Sequence, residues 1–289
     1  MEYKLDSLSS VSDYLDPPSS STSKKLIVFL HGWMSNSELW RSTMESVAKS
    51  NHIFAFDFPG MGGSSEPESD SGWGVSEYTD LTVNTISKAI AKLQANNREI
   101  EEIVLVGHSF GGRVILKLIG DLSYSQKNKA NSEYQFIKNH ISKIVLVDSA
   151  GVRSRKPTVK QKLGSLKYKY FDKTFVKLIN PKYFKQIQSN RSSVDYKAAS
   201  EVMKPIFVKV INEDLEHCLS NIKIPTLLIW GQLDQDTPVS DGLLMEKKIN
   251  EAGGDAALVV IKNSGHYSFA NKSLGGDELA FIKILEAFL

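Results

Sequence analysis

Short apolar runs bounded by glycine, proline and polar clusters recur along this chain, and helical spacing follows several of them. Ile103 to Val106 are all β-branched or leucine, which predicts a buried strand of a parallel sheet. Between Arg113 and Ile119 the apolar positions Val114, Ile115, Leu118 and Ile119 keep the period of a helix. Ile144 to Val147, Ile224 to Trp230 and Ala257 to Ile261 read as further strands. This alternation predicts an α/β fold with a doubly wound, mostly parallel sheet. Between Gly151 and about Leu219 the rhythm breaks into what reads as several helices. The expected organisation is therefore a core of residues 1–151 and 220–289 with an inserted helical cap at 152–219. Residues 16–25 have linker composition, so residues 1–25 are expected to be partly flexible.

Composition narrows the class. A chain of 289 residues with 41% hydrophobic content can bury a large core as one domain with an insertion. Its opening residues do not form a charged-then-apolar signal sequence, and no apolar run approaches the roughly 20 residues that cross a bilayer. The single cysteine, Cys218, has no partner within the chain, so disulfides are not expected. The expectation is a cytoplasmic protein.

The candidate chemistry lies in Val104-Leu-Val-Gly-His-Ser-Phe-Gly-Gly112, where a serine sits between two glycines as a strand gives way to a helix. Such a turn forces Ser109 into a strained conformation that lifts its hydroxyl above the sheet edge. A Cβ at Gly107 or Gly111 would collide in so tight a turn. A serine needs a neighbouring base to act as a nucleophile, and the motif orders its partners as serine, then acid, then histidine, each after a later strand. Asp234, in the turn Gly231-Gln-Leu-Asp-Gln-Asp-Thr-Pro238, is the leading acid; Asp236 and Asp148 compete with it. Of six histidines, only His266 lies on a glycine-containing loop after a late strand. His31 and His108 flank backbone elements of the site, and packing or surface roles suffice for His52, His140 and His217. One cysteine and no clustered histidines suggest no metal, and no cofactor is called for.

With these motifs in order, the chain resembles the α/β-hydrolase superfamily over nearly its whole length. The matching segments are His31-Gly-Trp33, Asp57-Phe-Pro-Gly-Met-Gly62, the serine turn, and the paired Asp and His loops. The resemblance implies an α/β-hydrolase fold in which the N–H groups of Trp33 and Phe110 form an oxyanion hole, Asp57 is structural, and a cap covers the site. Ser109, Asp234 and His266 are then the catalytic residues of a serine esterase that works through an acyl-enzyme. Two departures stand out: the family's first strands are hard to see in the polar opening segment, and residues 121–140 make a longer polar insertion.

From Arg153 to Arg191 there are twelve basic residues against one acid, Asp172. The formal charge of this stretch is +11 in a chain of +2, so the remainder carries −9. Leu163, Leu166, Tyr170, Phe171, Phe175 and Leu178 follow helical spacing, while Lys169, Lys173 and Lys177 stack on another face. The plain reading is a solvated face. The functional reading is attraction of an anionic substrate, an acidic carrier protein or an anionic membrane surface; nucleic acid is not expected. The loop His31 to Trp40 is similar to that of the pimeloyl-acyl-carrier-protein methyl ester esterases. Alternatives to a small-molecule carboxylesterase are such a carrier-linked esterase, a carbon–carbon bond hydrolase of the meta-cleavage type, or a catalytically silent receptor on the same fold.

Overall fold

A computed structural model describes residues 12–15, 23–68, 72–154 and 194–289. Seven strands form one sheet: β1 (Ser12–Leu15), β2 (Lys25–Leu30), β3 (His52–Phe56), β4 (Glu102–His108), β5 (Ile141–Val147), β6 (Thr226–Gly231) and β7 (Ala256–Ile261), in the order β1-β3-β2-β4-β5-β6-β7. Only β1 runs antiparallel, pairing Ser12 with Phe56 through Leu15 with Ile53; β2 to β7 are parallel. This edge strand accounts for the expected first strand that the polar opening segment hides.

The central strands are buried on both faces, which explains their near-continuous apolar runs. Within β4, Ile103 and Leu105 join one core, and Val104 and Val106 join the other. Helices α2 (Val75–Ala95) and α3 (Phe110–Gly120) pack on the first face, with α1 (Arg41–Val47) on the second. Residues 121–140 form two short helices, α4 (Leu122–Lys127) and α5 (Ser132–His140). Their caps explain the polar composition: the side chains of Asp121 and Asn131 accept from Tyr124 N and Tyr134 N, each at 3.0 Å.

Between β5 and β6 lie α6 (Val194–Ala198) and α7 (Met203–Asn212), the latter burying Met203, Ile206, Phe207 and Val210 at helical spacing. A 3-10 turn at Glu216–Asn221 then packs on α3. Helix α8 (Val239–Glu251) returns to the first face, and α9 (Glu278–Phe288) closes the second with Phe281 and Leu285. Most of the expected cap, residues 155–193, lies outside the described residues, and with it the basic run after Arg153 and the apolar stripe from Leu163 to Leu178. The linker expected at 16–25 ends sooner than its composition suggests. Lys24 pairs with Glu99 and Glu101, at 2.8 and 2.5 Å, and Lys25 opens β2. No helix among the described residues is long and apolar enough to cross a membrane.

Candidate active site

Strand β4 ends and α3 begins within one residue of each other, and Ser109 is the joint. Its backbone sits at φ 47°, ψ −104°, a conformation that costs a non-glycine residue of order 1–3 kcal/mol. The surroundings hold it there: Ser109 N donates to Val147 O at 3.0 Å, and Ser109 O accepts from Ala150 N at 3.1 Å. A Cβ on Gly107 would lie 2.7 Å from the Gly111 carbonyl carbon, which is the collision expected across the turn. On Gly111 it would instead strike the Leu30 carbonyl of the neighbouring strand. Both glycines therefore allow the turn, by different contacts.

The turn after β6 carries Asp234, whose carboxylate is wholly buried. Asp236 N and Thr237 N donate to Oδ1 at 2.8 and 3.0 Å, and the Thr237 hydroxyl lies 2.8 Å from Oδ2. The remaining contact of Oδ2 is the Nδ1 of His266, at 2.8 Å. That contact fixes the proton on Nδ1 and leaves Nε2 as the basic nitrogen. Burial acts to lower the His266 pKa, but the Asp234 hydrogen bond and charge outweigh it, aided by Asp148 and Asp236, and hold it above its ordinary value.

Asp236 is exposed and supplies only its N–H to the Asp234 carboxylate. Asp148 is buried and ties the two loops together: Oδ1 accepts from Gly231 N at 2.7 Å, and Oδ2 accepts from Ser268 N and Oγ at 3.1 and 2.6 Å. Burial pushes its carboxyl up to about 7 against those hydrogen bonds.

Ser109, His266, Trp33 and Phe110 all line one cavity of ≈ 370 Å³ at the carboxyl ends of the strands. Ser109 Oγ makes no hydrogen bond to the His266 ring within 3.5 Å, a spacing common before substrate arrives. The N–H groups of Trp33 and Phe110 have no hydrogen-bond partner among the described residues.

The other sequence candidates hold the frame. His31 takes Phe58 N on Nε2 at 2.9 Å and donates from Nδ1 to Gly32 O at 2.7 Å. Burial lowers its pKa to about 4, so it is neutral. His108 meets the His266 carbonyl through Nε2 at 2.8 Å, and burial and the His266 charge lower its pKa as well. Asp57 braces its loop through Ser37 N and Gly63 N, at 2.7 and 2.9 Å. Among the described residues two groupings offer enough ligand atoms for a cation, Asp234–Asp236–His266 and Asp121–His217–Cys218. In each the buried acid is already engaged, by His266 and by Lys117.

Sequence reasoning missed three residues here: Thr237, Arg113 and Asp241, each lining the cavity. Thr237 directly precedes a proline after the acid, which is a local signal. Arg113 follows the serine by four residues, the spacing that puts it on the same helix face. Asp241 carries no such signal.

A strained serine between strand and helix, at the mouth of a parallel sheet and in one cavity with a histidine–aspartate pair, is the arrangement expected of an α/β enzyme with an alcohol nucleophile. Residues 25–273 match the family described as alpha/beta hydrolase fold. The chain belongs to that family, and with serine at its elbow it is a serine hydrolase. It is similar to the monoacylglycerol lipase ABHD6 of Homo sapiens, 23% identical over 263 residues, covering 84% of this chain and 70% of the lipase. It is also similar to the AB hydrolase superfamily protein YisY of Bacillus subtilis, 24% identical, covering 84% of this chain and 85% of that protein. Among solved structures, MenH from S. aureus matches with a TM-score of 0.60 at 20% identity, covering 96% of this chain and 97% of MenH. An esterase from Exiguobacterium antarcticum matches at 0.62 and 19%, covering 98% and 96%.

Proposed function

We propose that this ester-cleaving serine hydrolase acts on small to medium acyl groups through an acyl-enzyme on Ser109. His266 Nε2 takes the hydroxyl proton as Ser109 Oγ attacks the ester carbonyl, then returns it to the departing alcohol. A water, deprotonated by the same nitrogen, releases the acid and restores the serine. Asp234 holds the imidazole in the Nδ1–H tautomer and stabilises its charged form. The unpartnered N–H groups of Trp33 and Phe110 receive the oxyanion, each worth roughly 10²–10³ in rate.

The observation that carries this reading is the 2.8 Å His266–Asp234 contact in the cavity that the strained Ser109 lines. The esterase and monoacylglycerol lipases among the similar proteins support an ester as substrate. Trp33, Phe110, Val152 and Phe207 give the cavity apolar walls, and its ≈ 370 Å³ supports a short or medium acyl chain.

The test is labelling by a fluorophosphonate, with hydrolysis of p-nitrophenyl esters of increasing acyl length. Label and turnover should both vanish in Ser109→Ala, and the rate should peak at short to medium chains. Undiminished turnover in Ser109→Ala would overturn the mechanism, and an unlabelled wild type without turnover would favour a silent receptor.

A further inference from the structure

We propose that Arg113 and Arg153 form an oxyanion subsite inside the Ser109 cavity, so that the preferred ester carries a carboxylate or similar anion of its own. This rests on the hydrolase reading above and specifies its substrate class.

Both side chains line the cavity that holds Ser109 and His266. Arg113 stands one helical turn after the nucleophile and is only 6% exposed. A buried guanidinium ordinarily faces a carboxylate, because stripping water from a cation is costly. Neither arginine has a carboxylate within 4.0 Å among the described residues. Their acceptors are main-chain carbonyls at the end of α7: Arg113 donates to Glu213 O at 2.8 Å and Ile211 O at 3.5 Å, and Arg153 donates to the same Ile211 O at 3.1 Å.

The acids nearby are engaged elsewhere. Glu213 Oε1 takes Lys117 Nζ at 2.8 Å, and Asp214 Oδ1 takes Glu216 N at 2.9 Å. Asp241 Oδ1 binds the N and Oγ of Ser154, the residue after Arg153, at 2.8 and 2.5 Å, while Asp236 is exposed on the acid turn. A helix C-terminus presents roughly half a negative charge, too little to balance two whole cations that share one carbonyl. Burial and the charge of Arg153 lower the Arg113 pKa to about 10, which leaves it a cation at neutral pH. Of its five N–H groups, three remain without a partner among the described residues. Two planar donor forks in the cavity that Ser109 lines suit a carboxylate, which pairs with guanidinium in a charge-assisted, bidentate way.

The test compares p-nitrophenyl hydrogen glutarate, which has a free carboxylate, with its methyl-capped counterpart, using the full chain. The wild type should favour the acid in kcat/KM by about tenfold or more, a factor typical of one well-placed charged contact. That ratio should fall towards one in Arg153→Met, at an exposed position that folding tolerates, and in Arg113→Lys, which keeps a cation but loses the fork. Glutarate alone, titrated calorimetrically, should bind the wild type and lose affinity in both variants. A wild type that cleaves both esters alike and binds no glutarate overturns the subsite while leaving hydrolysis standing. A ratio that neither substitution moves overturns it too. Glutarate binding that the substitutions abolish, with neither ester turned over, upholds the subsite and sinks the hydrolysis instead.

Discussion

The Nδ1 of His266 stands 2.8 Å from a carboxylate oxygen of Asp234 that no solvent reaches. A wholly buried carboxylate has few ways to satisfy its charge. Here Asp236 N, the Thr237 amide and hydroxyl, and the imidazole surround it. The pair is therefore both a positioning device and an electrostatic one. It orients the ring and makes the imidazolium easier to form.

The first prediction concerns pH. The proposed mechanism needs neutral His266, so kcat/KM should rise with pH along a limb above the ordinary imidazole value of 6.5, since Asp234 holds the proton on more tightly. Asp234→Asn removes that charge, so the limb should move down. The rate itself should fall by roughly 10⁴, because the ring loses its tautomer. A pH–rate profile of both proteins checks the sign; a limb that stays in place would mean that Asp234 does not face the working base.

Thr237 offers a second prediction. Its hydroxyl lies 2.8 Å from Asp234 Oδ2, 2.9 Å from Asp148 O and 3.3 Å from His266 Nδ1. Thr237→Val keeps the shape and deletes the donor, so the acid loses one contact and its turn loses an anchor to Asp148, the residue after β5. The expected result is a drop of roughly tenfold in kcat, the order seen when a supporting contact lets a catalytic group drift. Thr237→Ser should recover most of it. Steady-state kinetics on one ester series decide the matter.

Much of this arrangement was legible in the chain because it is local. The strand-turn-helix around Ser109 is written in nine consecutive residues, and the acid and base lie on short loops after apolar strands. The choice among Asp234, Asp236 and Asp148 was harder, because all three follow strands and only the folded register separates them. Asp148 proves to bridge Gly231 and Ser268, two segments far from it in sequence. Arg113 carries no signal of its own because it reads as one of two basic residues in an otherwise apolar helix. Its meaning depends on the end of α7, about a hundred positions later. Helices α4 and α5 looked like a polar insertion because each buries only one or two side chains and caps itself with Asp121 or Asn131.

A third prediction tests the elbow's packing. A methyl on Gly111 would sit 2.7 Å from the Leu30 carbonyl carbon, and neither backbone can yield without moving a central strand. Gly111→Ala should cost about 1–3 kcal/mol, as overpacking does, and lower the melting temperature by several degrees. Gly265, whose nearest contact would be 3.9 Å away, is the control, and its alanine variant should melt close to the wild type. Equal melting of all three proteins would remove the steric account of the turn.

The last prediction sets two kinds of buried group against each other. His31 and His108 are neutral in the folded state because burial lowers their pKa values, to about 4 for His31. Between roughly pH 4 and 6.5 the unfolded chain protonates both, so acidification favours unfolding. Asp148 works in the opposite sense. Its folded carboxyl titrates near 7 against an ordinary 3.8, so in the same window the folded state holds a proton that the unfolded chain releases. Towards the acid side of that window the unfolded chain binds, from these three groups, more protons than the folded one, so stability falls on acidification. Asp148→Asn removes the opposing proton, so the fall on acidification becomes steeper. The substitution also loses an acceptor for Gly231 N or Ser268 N, which lowers stability at every pH without changing that slope. Urea unfolding of both proteins at pH 6.5 and pH 5 separates the two effects: the gap between them should widen on acidification, and a constant gap would mean that Asp148 carries no proton in the folded state.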